Sequence, residues 1–244
     1  FRNKNVPVIM GGIHASMCTE EALNYVDCVV AGEAENIWQT VLEDFKARSL
    51  KKVYKGKHTD FEKAPRVRHE LLTNDYFFGS IQTTRGCPLN CSFCSVSAFN
   101  GKSYRFRPIP QVIDELKSIK EKHVLIVDDN LIGVSKSHLQ RAKQLFQAII
   151  DAKIKKKFIA QVTLNIADDL EFLDLAKRAG LMGIFIGFES PQDNGLLEIK
   201  KKFNIRTTPR IKKSISLLRK YKITVIGSFI MGLDADSAGI GTKI

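Results

Sequence analysis

No stretch of the 244-residue sequence approaches the roughly 18 consecutive apolar residues that cross a bilayer, and no basic segment followed by an apolar run opens it. These two absences argue against a membrane span and a secretory leader, and the sequence reads as cytoplasmic. Compositional bias is lacking too: hydrophobic residues are 44% and charged residues 26%, ordinary values that exclude a disordered tail. A chain of this length buries about 70% of its unfolded surface. At roughly 150 residues per domain it holds about one and a half domains. Phe1 stands where a Met would, and Ile244 follows soon after a strand-like segment, so the sequence reads as a piece cut at both ends.

Acidic charge is in deficit. There are 38 Lys and Arg against 26 Asp and Glu, giving +12, a balance that suits an anionic partner such as nucleic acid or a membrane surface. The lysines fall in short scattered runs (Lys51, Lys52, Lys55 and Lys57; Lys155 to Lys157; Lys200 to Lys202) without interleaved aromatics. A solvated surface is therefore the preferred reading over a nucleic-acid footprint.

An even cysteine count is also missing, and five cysteines without a leader argue for a reducing compartment over a disulfide framework. Cys18 and Cys28 stand apart. Cys87, Cys91 and Cys94 form C-x3-C-x2-C within Arg85-Gly86-Cys87-Pro88-Leu89-Asn90-Cys91-Ser92-Phe93-Cys94. Three thiolates this close converge if the backbone curls round one object, and Gly86 and Pro88 supply the turn chemistry. A structural zinc site takes four protein ligands and closes its shell, yet no fourth cysteine lies within 25 residues. A 4Fe-4S cluster held by three cysteines keeps one iron with an open position, which is a reaction site. The spacing favours the cluster over zinc.

Along the chain, Val6 to Met10 reads as a strand running into Gly11-Gly12, Thr19 to Val26 as a helix, Cys28 to Gly32 as a strand and Ile37 to Phe45 as an amphipathic helix. This doubly wound pattern makes residues 1–48 the end of a Rossmann-like domain. Residues 49–79 are polar, basic and aperiodic, and read as a linker. Residues 80–244 then carry about five βα units, with strands at Ile81 to Thr84, His123 to Val127, Phe158 to Leu164, Gly183 to Phe188 and Thr224 to Ile230. Helices are expected at Gln111 to Lys120, at His138 to Ala152 after the capping serines Ser135 and Ser137, between an Asp168 cap and Gly180, and at Pro209 to Tyr221. Near-continuous apolar strands imply a parallel sheet buried on both faces, and a partial (β/α) barrel is its natural closure. Chemistry in such folds gathers at the carboxyl ends of the strands, where the cysteine loop, Asp128-Asp129, Asn165, Glu189-Ser190, Gly232 and Asp234 all fall.

The cysteine motif, with Phe93 before its last cysteine, resembles the signature of the radical S-adenosylmethionine (SAM) superfamily. Gln82 to Pro88 and Ser95 to Gly101 resemble its cobalamin-binding branch, as do Gly11-Gly12-Ile13-His14-Ala15-Ser16 and Val30-Ala31-Gly32-Glu33-Ala34-Glu35. The resemblance implies an α/β chain with the C-terminal part of a Rossmann-like cobalamin domain followed by about five of the six units of a (β/α)6-type barrel. Cys87, Cys91 and Cys94 would ligate a 4Fe-4S cluster whose open iron binds SAM. Phe93, Asp128, Asp129 and Asn130, Glu189 and Ser190, and Ile230 and Gly232 would contact SAM; Gly11, Gly12, Gly32 and Glu33 would contact cobalamin. Ser228 replaces a usual glycine in the fifth-strand motif, and an upstream Asp-x-His-x-x-Gly segment is absent from the sequence. The implied activity is reductive cleavage of SAM, with methyl transfer or ring formation on a small-molecule substrate and electrons from a donor such as flavodoxin or ferredoxin. Two alternatives are a transfer-RNA methylthiotransferase and a non-enzymatic, metal-containing nucleic-acid-binding module.

Overall fold

The computed structural model describes residues 1–73, 76–201 and 208–243. Its first unit is a parallel sheet of β1 (Ile9–Met10), β2 (Cys28–Ala31) and β3 (Val53–Lys55), with α1 (Ile13–Met17), α2 (Thr19–Leu23) and α3 (Trp38–Lys46) around it. Cys28, Val29 and Val30 of β2 are buried on both faces, as the unbroken apolar run requires. The segment 49–79 departs from the linker expectation. β3 lies inside it and pairs in parallel with β2, matching Val29 with Val53 and Ala31 with Lys55. Tyr54 buries its ring there, donates to Asp44 Oδ2 and accepts from the Lys51 amide. Flanking lysines mask so short a strand in the sequence.

The second unit is a five-stranded parallel sheet in the order β10–β9–β8–β7–β4, formed by Thr224–Phe229, Leu181–Glu189, Lys157–Val162, His123–Ile126 and Phe78–Ile81. The first strand sits three residues earlier than expected. Thr84–Arg85 (β5) instead pairs antiparallel with Arg105–Phe106 (β6), and the cysteine loop and α4 (Val96–Phe99) lie between them.

Four further helices cross the sheet: α5 (Ile109–Ser118), α6 (Lys136–Asp151), α7 (Leu170–Ala179) and α9 (Thr208–Lys220); the short α8 (Asp193–Glu198) follows β9. Pro110 falls in the first turn of α5, where a missing N–H costs nothing. Ser135 caps α6 by accepting from His138 N. The cap of α7 is Asp169, accepting from Phe172 N at 2.8 Å, rather than Asp168, which belongs to the preceding 3-10 turn. Gly180 ends that helix at φ 107.

Phe146, Phe158 and Phe172 are fully buried at the centre of the core, and the Phe146 and Phe172 rings meet edge to face at 5.4 Å. Each contributes roughly 1.5–3 kcal/mol by burial. No helix among the described residues is long and apolar enough to cross a membrane.

Candidate active site

The parallel strands deliver their carboxyl ends to one mouth, and the cysteine loop lies across it. Gly86 opens the loop at φ 90, where a side chain would collide with Ser103 O at 2.2 Å. Cys87 N donates to Gly101 O at 3.3 Å, and Ser92 N to Ile199 O at 3.1 Å. All three thiols are free and half-buried, and they open on a cavity of about 230 Å³ that Phe93, Asp129, Asn130, Gln161, Glu189, Lys201 and Ser228 also line.

Burial pushes the Cys87 and Cys91 thiols up, and the Lys201 ammonium partly offsets this at Cys91. Among the described residues, the trio of His, Cys, Asp or Glu ligand atoms within 4.8 Å of one another is His14, Cys18 and Glu21, on the surface.

The acidic pair after β7 divides. Asp128 is buried and turned away from the cavity: Oδ1 accepts from the Thr83 and Thr84 amides at 2.5 and 2.9 Å, and Oδ2 accepts from Thr83 Oγ1 at 2.6 Å. Burial raises its carboxyl pKa against those donated bonds. Its task is to fold the turn between β4 and β5, so the expected contact with SAM is not what its geometry serves. Asp129 does line the cavity, and Oδ2 accepts from Gly86 N and Asn100 Nδ2, each at 3.0 Å. Asn130 lines it too, and its buried Oδ1 has no partner within the protein. A buried orphan acceptor fits a ligand's donor group.

At the end of β9, Glu189 projects its carboxylate into the same cavity from a left-handed backbone at φ 67, and its carbonyl accepts from Ile230 N at 2.7 Å. Lys201 Nζ donates to Glu189 Oε1 at 2.5 Å, and both side chains are more than nine-tenths buried. Gly187 leaves the room for this pair, since a Cβ there would meet Glu189 Oε1 at 2.1 Å. The sequence hides Lys201 inside a basic run that reads as solvated surface. Ser190 is buried behind the cavity, accepting from Gln192 N at 3.1 Å. Ile230 and Gly232 lie outside the lining residues, and Gly232 N donates to Asp236 Oδ2 in a turn.

In the first unit, Gly11 and Gly12 end β1 exposed, and a Cβ on Gly12 would meet nothing within 4 Å. Gly32 instead packs on Gly56 O, which a Cβ would meet at 2.5 Å. Glu33 is consumed as well: it accepts from both Nη atoms of Arg105, from Thr59 N at 2.7 Å and from Arg85 Nη1 at 3.1 Å. Burial alone would raise its pKa, but Arg105, Thr59 and Arg85 outweigh that and hold it at about 2. Of the four residues expected to meet cobalamin, Gly12 keeps open space, and Gly11 is exposed with Val30 O 3.4 Å from its Cβ position. The helix that follows them, α1, packs on α4, the helix that follows the cysteine loop.

The sequence matches the Radical SAM superfamily over residues 81–238. It is 30% identical over 245 residues to bacteriochlorophyllide d C-12(1)-methyltransferase of Chlorobaculum tepidum, covering 94% of this chain and 52% of that protein. It is 29% identical to hopanoid C-2 methylase of Rhodopseudomonas palustris, covering 97% of this chain and 46% of that one. Among solved structures the fold superposes on the radical SAM methyltransferase TsrM from Kitasatospora setae, with TM-score 0.76, 18% identity, and coverage of 97% of this chain and 52% of that one. It superposes also on the cobalamin-dependent radical enzyme OxsB with aqua-cobalamin and SAM bound, with TM-score 0.74, 18% identity, and coverage of 94% and 37%. The chain spans about half the length of the curated relatives it matches. With the match running over most of its length and through the three-cysteine loop at the strand ends, this chain belongs to the radical SAM superfamily.

Proposed function

We propose that the chain forms the catalytic part of an iron–sulfur radical SAM enzyme that acts on a small molecule, with cobalamin as a second cofactor for methyl transfer or ring formation. The observation that carries this is the convergence of three free thiols on a cavity with an ion pair and an orphan acceptor. Cys87, Cys91 and Cys94 would hold the cluster. Asn130 Oδ1 would accept from the methionine amino group, and Glu189, oriented by Lys201, would accept from ribose hydroxyls. The chemistry supplied when both groups are bound is reductive cleavage of a sulfonium C–S bond, with the electron drawn from a donor such as flavodoxin or ferredoxin.

This chain's own residues do the rest. Phe93 and Phe185 wall the cavity with apolar surface, Asp129 ties Gly86 to the strand ends, and Lys201 keeps Glu189 aimed. The exposed edge at Gly11 and Gly12 would meet a corrin. That edge and the methyltransferase relatives support the cobalamin reading. Cys18, exposed beside α2, and Cys28, buried within β2, are too differently placed to share an ion, so the methylthiotransferase alternative gains no support.

The test is anaerobic reconstitution with iron and sulfide analysis. About four irons and four sulfides per chain are expected, abolished by Cys91→Ala and unaffected by Cys18→Ala or Cys28→Ala. Stoichiometric zinc without iron uptake would overturn the reading.

A further inference from the structure

We propose that Glu33 is a positioning residue for the cysteine loop, acting through Arg85 and Arg105 to hold Gly86 and Cys87 where a metal group is ligated. The proposal rests on reading Cys87 as a cluster ligand, but its central measurement does not need the metal.

The argument follows the hydrogen bonds. Glu33 leaves β2 in the first unit, while its partners Arg85 and Arg105 face each other across the β5–β6 pair in the second. Arg105 Nη2 donates to Glu33 Oε1 at 2.6 Å and also to Asn100 O at 2.8 Å. Asn100 Nδ2 donates to Asp129 Oδ2, and the same oxygen accepts from Gly86 N. Arg85 is bonded covalently to Gly86, and its guanidinium is shared by Glu33 and Glu35 at 3.1 and 2.8 Å. One carboxylate thus anchors both strands that carry the ends of the loop.

Apart from the Asp129 bond to Gly86 N, the backbone at that end of the loop is weakly held. Cys87 N reaches Gly101 O only at 3.3 Å, and Gly86 is in a backbone state that other residues avoid. Removing the Glu33 charge leaves two guanidiniums, each side chain 15% exposed, close together without their shared acceptor. Such groups turn toward water, and Arg85 carries Gly86 with it. A carboxylate that merely fastened the first sheet would not act at this distance.

The measurement is amide hydrogen exchange in the metal-free chain, comparing wild type, Glu33→Gln, Glu33→Asp and Tyr54→Phe. Tyr54→Phe weakens the first sheet, where the hydroxyl joins Asp44 and Lys51, without touching the loop. Glu33→Gln should speed exchange at Gly86 and Cys87 by about tenfold, leaving β7 and β8 unchanged, and Glu33→Asp should restore most of the protection. In reconstituted protein, Glu33→Gln should also shift the electron-paramagnetic-resonance signal of the reduced cluster. Wild-type exchange in Glu33→Gln, or equal acceleration by Tyr54→Phe, overturns the proposal. If Glu33→Gln does not fold, Arg105→Lys replaces it, since it removes the paired Nη bonds to Glu33: faster exchange at Gly86 supports the role and unchanged exchange refutes it. A wild-type chain that takes up no iron defeats the cluster reading alone, and the exchange result still decides on Glu33.

Discussion

Lys201 reaches across the cavity mouth to Glu189, Nζ to Oε1 at 2.5 Å, and together they set a buried charge pair beside Cys91. A carboxylate accepting hydroxyl hydrogen bonds makes contacts worth roughly 1.5–3 kcal/mol each. Glu189→Gln should therefore weaken SAM binding by about tenfold with iron content unchanged. Anaerobic titration followed by the cluster's paramagnetic signal reads this directly. Unchanged affinity with a lowered melting temperature would make Glu189 a structural residue only.

Gly187→Ala tests the same pair without altering any charge. The added methyl would collide with Glu189 Oε1 at 2.1 Å and Lys201 Nζ at 2.7 Å, so the side chains must separate. SAM affinity should fall at least as far as in Glu189→Gln, while far-ultraviolet circular dichroism stays that of wild type. Retained affinity would show that the pair can shift without consequence.

Asp128→Asn and Asp129→Asn should part company. At Asp128 an amide cannot accept all three donated bonds, and a buried mismatch of this kind costs about 1–3 kcal/mol. The melting temperature should drop. Asp129→Asn loosens Gly86 at the loop entrance, so SAM affinity should fall by about tenfold with a melting temperature near wild type. Equal melting temperatures for the two variants would contradict the division of roles.

Acid should remove the clamp on Glu33. Its pKa lies at about 2 in the folded chain, below the ordinary 4.5, so its contribution is complete above pH 4.5 and is lost as pH falls toward 2. Its size is about 3 kcal/mol. The stability gap between wild type and Glu33→Gln, measured by urea unfolding, should be widest near pH 6 and narrow steadily below 4.5. A gap constant down to pH 3 would mean that the two arginines do not depend on the charge.

The parts legible in the sequence are those whose causes are local. The apolar run Gly183 to Phe188 announces β9, Gly180 ends α7 in the left-handed state, and the three-cysteine spacing announces the loop. The parts that stayed hidden are set by partners far along the chain. Glu33 meets Arg105 at a separation of 72 residues, Asp128 folds back on Thr83, and Lys201 leaves its lysine run to enter the core. Periodicity carries no record of such meetings. Position after a strand therefore located Asp128 at the right end of the sheet but could not foretell that its carboxylate turns to the Thr83 and Thr84 amides.

Glu189 also holds a backbone that only glycine adopts freely, a posture that costs about 1–3 kcal/mol. Replacing the pair together, Glu189→Gly with Lys201→Met, would relax that posture and remove a buried charge on each side, a change that often stabilises a core. Heat selection on a library spanning these two positions would therefore enrich for sturdier chains that have lost their ligand. Any effort to make this scaffold durable has to score survival and SAM retention in the same round.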